Sequence, residues 1–160
     1  MSGTGKSTVL GELAARGHRV VDLDDPGWSR EVPTGDGGVE QVWELDRVAR
    51  LLDGHGAHGA HAAHDDGLLV VAGCAADQAR FYDRFEAVVL LSAPAEVMLE
   101  RIAARRTNPF GRLPQERARI LRDLAEVEPL LRATCTCEID TRRPVAEVAD
   151  LVEALATGAG

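Results

Sequence analysis

MSGTGKST, residues 1–8, decides how the rest of the chain is read. Gly5, Lys6 and Ser7 fit the closing residues of the phosphate-loop pattern G-x-x-x-x-G-K-[ST], whose first glycine would fall just before Met1. Gly3 and Gly5 permit tight backbone turns, so that successive N–H groups can converge on phosphate oxygens. The candidate nucleotide-binding residues are therefore Ser2, Gly3, Thr4, Gly5, Lys6, Ser7 and Thr8. Lys6 is expected to reach the β- and γ-phosphates of ATP, and the Ser7 hydroxyl to ligand Mg²⁺. A Gly/Ser-rich flexible terminus is the competing reading. It fits poorly, because G-K-S-T runs straight into an amphipathic helical pattern at Val9, Leu10, Leu13 and Ala14.

The composition supports the loop. Of 18 Lys plus Arg residues, 17 are Arg and Lys6 is the single lysine. A compact ammonium on a thin stem reaches a phosphate in a way a planar guanidinium does not, and lysine has been kept only there. The 160 residues are 45% hydrophobic, enough for one domain with a real core. A net charge of −8 argues against nucleic acid as a partner, since phosphate backbones demand a basic face. No run approaches the roughly 18 apolar residues of a membrane span, and residues 1–30 do not read as a secretory leader. Three cysteines, an odd number, fit a reducing cytoplasm. A monomer that engages no membrane is expected.

Downstream, strands and helices alternate. HRVVDLD (18–24) reads as a strand ending in acids, and DPGWSREVPTGDGG (25–38) as loop. VEQVWELDRVARLLD (39–53) has helical spacing, and 54–67 reads as a flexible His/Gly loop. LLVVAG and EAVVLLSA are continuous apolar runs, as expected of strands covered on both faces of a parallel sheet. Helical patterns follow Pro94, Pro114 and Pro144, with a strand at CTCEID (135–140). The pattern predicts one α/β domain over 1–160, a doubly wound parallel sheet with helices on both faces.

Ligands of such a sheet collect at the carboxyl ends of its strands. There Asp22 is the candidate Mg²⁺ carboxylate and Asp24 the candidate base for an attacking hydroxyl. A solvated acidic turn is the alternative, and the upstream phosphate loop favours the functional reading.

SGTGKST, VVDLDD, RRTNPFGR and EIDTRRP together resemble, in that order, the shikimate-kinase-like and adenylate-kinase-like P-loop kinases of small molecules. The resemblance implies an ATP-dependent phosphotransferase with Mg²⁺ and a small-molecule acceptor. It implies a short lid at 107–113, with Arg106 at its base and Arg112 at its tip closing over ATP. An ordinary exposed charge is the alternative for each lid arginine, Arg105 included. It also implies an adenine-side loop at DTRRP, where Arg143 and Pro144 cover the base. The chain departs from shikimate kinases at Gly73-Cys74-Ala75, where the family has three glycines, and at Val127 and Glu44, where it has arginines. Those features hold the shikimate carboxylate in the family, so another acceptor is implied. Asp24, Asp25, Trp28, Gln78, Arg80 and Tyr82 are the residues expected to border it. A nucleoside or nucleotide kinase and a non-catalytic ATP sensor are the rival readings.

His55, His58, His61 and His64 recur every third residue, but between Gly and Ala they read as a loop insertion rather than a metal site. Cys135 and Cys137 read as small core hydrophobes on one face of the last strand. A phosphate loop normally hangs off a buried central strand. The expectation is that such a strand, about six to ten residues long, lies upstream of Met1, between LLVVAG and EAVVLLSA. Those two strands should then stand apart or pair directly under strain.

Overall fold

The computed structural model describes residues 2–35, 38–59, 67–105 and 110–157. The chain divides into two compact units, residues 1–9 with 87–160 and residues 10–86, and the boundary falls within the first helix.

In the first unit, α1 begins at Lys6 and runs Lys6–Ala15. Strands β5 (Val89–Ser92) and β6 (Cys137–Asp140) pair in parallel, with Ser92 opposite Asp140 at their carboxyl ends. Helices α3 (Ala95–Ala104), α4 (Pro114–Glu126), α5 (Glu128–Thr134) and α6 (Val145–Ala156) complete the unit. Pro94 and Pro144 stand immediately before α3 and α6, where a missing N–H costs nothing. The helical run after Pro114 breaks at Val127, because Pro129 has no N–H to continue the ladder. Met98 and Ile102 from α3 and Ile120 from α4 bury fully with Ala93, and Val97, Phe110 and Leu124 pack around them.

In the second unit, β1 (Arg19–Asp22) and β4 (Leu69–Ala72) pair in parallel, with Asp22 opposite Ala72. Strands β2 (Ser29–Pro33) and β3 (Val39–Trp43) form an antiparallel hairpin, and α2 runs Leu45–Gly59. A 3₁₀ helix spans Gln78–Arg84. Leu23, Trp43, Val48, Leu52, Ala75 and Phe81 form the core here.

Parallel strands joined by helices give the expected α/β class. Three local expectations need correction. Residues 25–38 are not all loop and 39–43 are not helical, because Ser29–Pro33 and Val39–Trp43 pair as a hairpin. Val39, Val42 and Trp43 suit an extended chain, and the turn closes with the Thr34 N–H on the Gly38 carbonyl at 2.9 Å. The helix after it runs on to Gly59, so residues 54–59 of the expected His/Gly loop are helical and carry His55. His61 and His64 lie outside the described residues. Cys135 caps the end of α5 rather than joining β6, so Cys137 alone of the two is in the strand. Within the second unit β4 is paired to β1, and within the first β5 is paired to β6. No helix among the described residues is long and apolar enough to cross a membrane.

Candidate functional site

The phosphate loop is built by its glycines. Gly3 and Gly5 both have left-handed backbone, with φ of 84° and 93°. A Cβ on Gly3 would lie 2.8 Å from the Met98 carbonyl oxygen and 3.1 Å from Ile102 Cδ1, so α3 presses on the loop where only glycine fits. Between them Thr4 is 2% exposed. The Gly5 carbonyl accepts the Thr8 and Val9 N–H groups at 3.1 and 3.0 Å, starting α1 at Lys6. Lys6 and Ser7 thus stand in the first turn of a helix, where backbone donors and the helix dipole favour an anion.

Within the segment expected to form a lid, Gly111 is held tightly. Gly111 has φ of 93°, and a Cβ there would approach Ile102 Cγ2 to 2.5 Å. The Glu116 carboxylate accepts the Gly111 and Leu113 N–H groups at 2.8 and 3.1 Å, and these bonds hold it below the usual carboxylate range. Arg117 Nε donates to the Gly111 carbonyl at 3.0 Å. Arg106 and residues 107–109 lie outside the described residues. Arg112 is exposed, and its Nη2 reaches the Arg105 carbonyl at 3.4 Å.

Arg105 is the residue that sequence reasoning undervalued. It is half-buried, not an ordinary exposed charge. One terminal nitrogen donates to the Phe110 carbonyl, while its buried Nε finds no partner. Burial and the neighbouring Arg112 charge pull its guanidinium below its ordinary pKa. Two cations in proximity with an unsatisfied N–H form a place that an anion would stabilise. The sequence signal was available, since Arg105 adjoins Arg106 in the same RRTNPFGR segment.

Arg143 and Pro144 lie in the loop between β6 and α6. Arg143 is exposed and sits 3.9 Å from Glu147, a weak contact that leaves its charge largely in solvent. Arg142 instead clamps Asp140 through Nε and Nη2 at 2.8 and 2.5 Å, holding that carboxyl down at about 2.

In the second unit, Asp22 ends β1 and Asp24 is exposed just beyond it. The Asp24 N–H donates to Asp22 Oδ1 at 3.1 Å, and the Asp25 N–H to the Asp22 carbonyl at 3.1 Å. Asp22 and Asp24 therefore sit in one turn at a strand's carboxyl end. Gly27 (φ 89°) follows, and Arg47 holds this segment by donating to the Gly27 carbonyl at 2.8 Å. The Arg47 guanidinium also stacks 4.1 Å over the Trp28 ring. Glu44 pairs with Arg30 at 3.2 Å. Gln78 accepts the Ala75 N–H at 3.2 Å and donates to the Tyr82 hydroxyl at 2.6 Å, so two acceptor-side candidates form one network. Gly73 is tight, a Cβ there meeting Leu23 Cβ at 3.0 Å. Arg80 is exposed.

The phosphate loop, Arg105, Arg112, Arg143 and Pro144 thus all belong to the first unit, and Asp22, Asp24 and the acceptor-side candidates to the second. A glycine-built loop at a helix N-terminus, in a chain of parallel strand pairs and connecting helices, defines a P-loop α/β protein. The sequence profile of the AAA domain family (AAA_18) matches residues 1–122, and the chain belongs to that family. Among solved structures it is similar to a shikimate kinase from Acinetobacter baumannii in complex with shikimate. That match has 20% identity and a TM-score of 0.58, and covers 98% of this chain and 89% of the other. The likeness is one of fold. No curated protein matches the chain.

Proposed function

We propose that the protein is an ATP-dependent phosphotransferase that moves the γ-phosphoryl group to a hydroxyl or phosphate of a small-molecule acceptor. The observation that carries this reading is the phosphate loop itself: two glycines held left-handed under α3, delivering the chain's single lysine to the first turn of α1. The reading is supported by the left-handed turns at Gly3 and Gly5, which lead the backbone into the first turn of α1, and separately by the buried Arg105 Nε, which has no hydrogen-bond partner.

In this reading Lys6 and the loop amides hold the phosphates, and Ser7 is a ligand of Mg²⁺, which supplies charge neutralisation when bound; Asp22 is the candidate Mg²⁺ carboxylate carried by the second unit. Asp24 accepts the proton of the attacking hydroxyl. Arg112, with Arg105 beside it, offsets charge on the moving phosphoryl group. Arg106 serves the same lid, and Arg143 with Pro144 covers the base. The departures at Gly73-Cys74-Ala75, Glu44 and Val127 favour an acceptor other than shikimate. The protein would act as a cytoplasmic monomer.

The test is transfer of labelled γ-phosphate from ATP to members of a metabolite panel, with Mg²⁺, by the wild-type chain and Lys6→Ala. Label should reach one acceptor class with the wild type and none with the variant. Nucleotide binding without transfer to any acceptor would make the protein an ATP sensor instead.

A further inference from the structure

We infer that Arg101 is a positioning residue: it fixes the spacing between the phosphate loop and the loop after β6, and so selects ligands that span both. This inference rests on the nucleotide-binding reading above. Arg101 lies in the last turn of α3, and its guanidinium turns towards the base of the phosphate loop. Nη2 donates to the Thr141 carbonyl at 2.6 Å, and Nη1 to Thr141 Oγ1 at 2.8 Å. The same Nη1 stands 3.5 Å from the Gly3 carbonyl oxygen, a long contact, and 3.8 Å from where a Cβ on Gly5 would be. Thr141 is itself 5% exposed, and its N–H and hydroxyl both donate to the Ser92 carbonyl, at 2.9 and 3.1 Å.

One guanidinium therefore links the phosphate loop, α3 and the carboxyl end of β6, and Thr141 extends the link to β5. Two bonds to one residue fix the plane of the fork, so the group is a rigid spacer rather than a swinging charge. Thr141 leads directly into Arg142, Arg143 and Pro144. A ligand held by the phosphate loop at one end and by this second loop at the other has to match the distance that Arg101 sets. Lysine, a point donor, cannot satisfy both Thr141 acceptors in that plane while staying beside Gly3.

In the nucleotide-binding reading ATP engages both loops, whereas inorganic tripolyphosphate engages only the first. Calorimetry with each ligand and Mg²⁺ on wild type, Arg101→Lys, Thr141→Val and Lys6→Ala decides the matter. Arg101→Lys should weaken ATP about tenfold, the usual scale for losing a charge-assisted bond, and tripolyphosphate by less than about threefold. Thr141→Val should shift the ratio in the same direction, and it decides alone if Arg101→Lys does not fold. A purely structural role would weaken both ligands by one factor, alongside a lower Tm. Equal losses, or wild-type affinities in both brace variants while Lys6→Ala binds neither ligand, would overturn the inference alone. Retention of both ligands by Lys6→Ala would remove the phosphate-loop reading and this inference with it.

Discussion

Lys6 is where chemistry and composition meet, because it is the single ammonium among 17 guanidiniums. Lys6→Ala should weaken ATP binding severely, and Lys6→Arg should not restore it, since a wider planar cation does not fit between loop and phosphates. Titration calorimetry reads this directly, and unchanged affinity in both variants would remove the loop from the mechanism. The two aspartates of the β1 turn separate by a different measurement. Asp24→Asn should depress turnover while ATP affinity stays nearly constant, because a base acts on the acceptor. Asp22→Asn should raise the Mg²⁺ concentration needed for half-maximal rate. A shared loss of thermal stability with neither kinetic signature would make the turn structural, which its hydrogen bond between the Asp24 N–H and Asp22 allows. That Asp22 and Asp24 share one turn at the end of β1 was legible from spacing and strand-end position. The place of Arg105 in RRTNPFGR was legible too, but its partial burial was not, because that burial and its partnerless Nε depend on Phe110 and Arg112 folding back over it.

At the scale of elements, the α3–α4 corner and the α5–β6 edge make separate predictions. Gly111 combines a positive φ with a Cβ position 2.5 Å from Ile102, in the core that packs α3 on α4. Gly111→Ala should cost about 1–3 kcal/mol, from backbone strain and overpacking together. Denaturant unfolding measures it, and a wild-type midpoint would show that the corner relaxes freely. On the other edge, Arg132 Nε and Nη2 bond Glu138 at 2.7 and 2.8 Å, and Nη2 also bonds Glu128 at 2.6 Å. The Arg132 bonds first, and then a bond from the Ser92 side chain, hold the Glu138 carboxyl at about 2 against an ordinary 4.5. A depressed carboxyl stabilises the folded state fully above its unfolded value. That contribution fades as pH falls from about 4.5 to about 2. Glu138→Gln should therefore flatten the acid limb of the stability curve in that window. The Asp140–Arg142 pair, whose carboxyl is also held at about 2, keeps its own share of it. An acid limb of unchanged slope would mean that the ion pair is already lost in solution.

For the whole molecule, binding is read as stability. A ligand at a hundred times its dissociation constant adds about 2.7 kcal/mol to the folded state. For a chain of this size that is a rise in Tm of roughly 5–10 °C. ATP with Mg²⁺ should give such a shift, and Lys6→Ala should abolish it. The acceptor should add a further shift only when nucleotide is present, if the two are to react. A panel in which no nucleotide moves Tm would count against the proposed activity as a whole.

The sequence by itself determined the α/β class, the phosphate loop and the order of most elements. Each of these is written in local terms: glycines beside a lysine, apolar runs of strand length, and prolines at helix starts. It misread residues 25–43, where VEQVW satisfies a helical and an extended pattern alike. Pairing with Ser29–Pro33, which no local window sees, selected the extended one. The tertiary structure alone decided that Gly3 must be glycine because Met98 lies against it. It alone brought Arg101 to Thr141 across 40 positions of sequence. Contacts of that range are made by packing, and a linear pattern carries no record of which side chains packing will bring together.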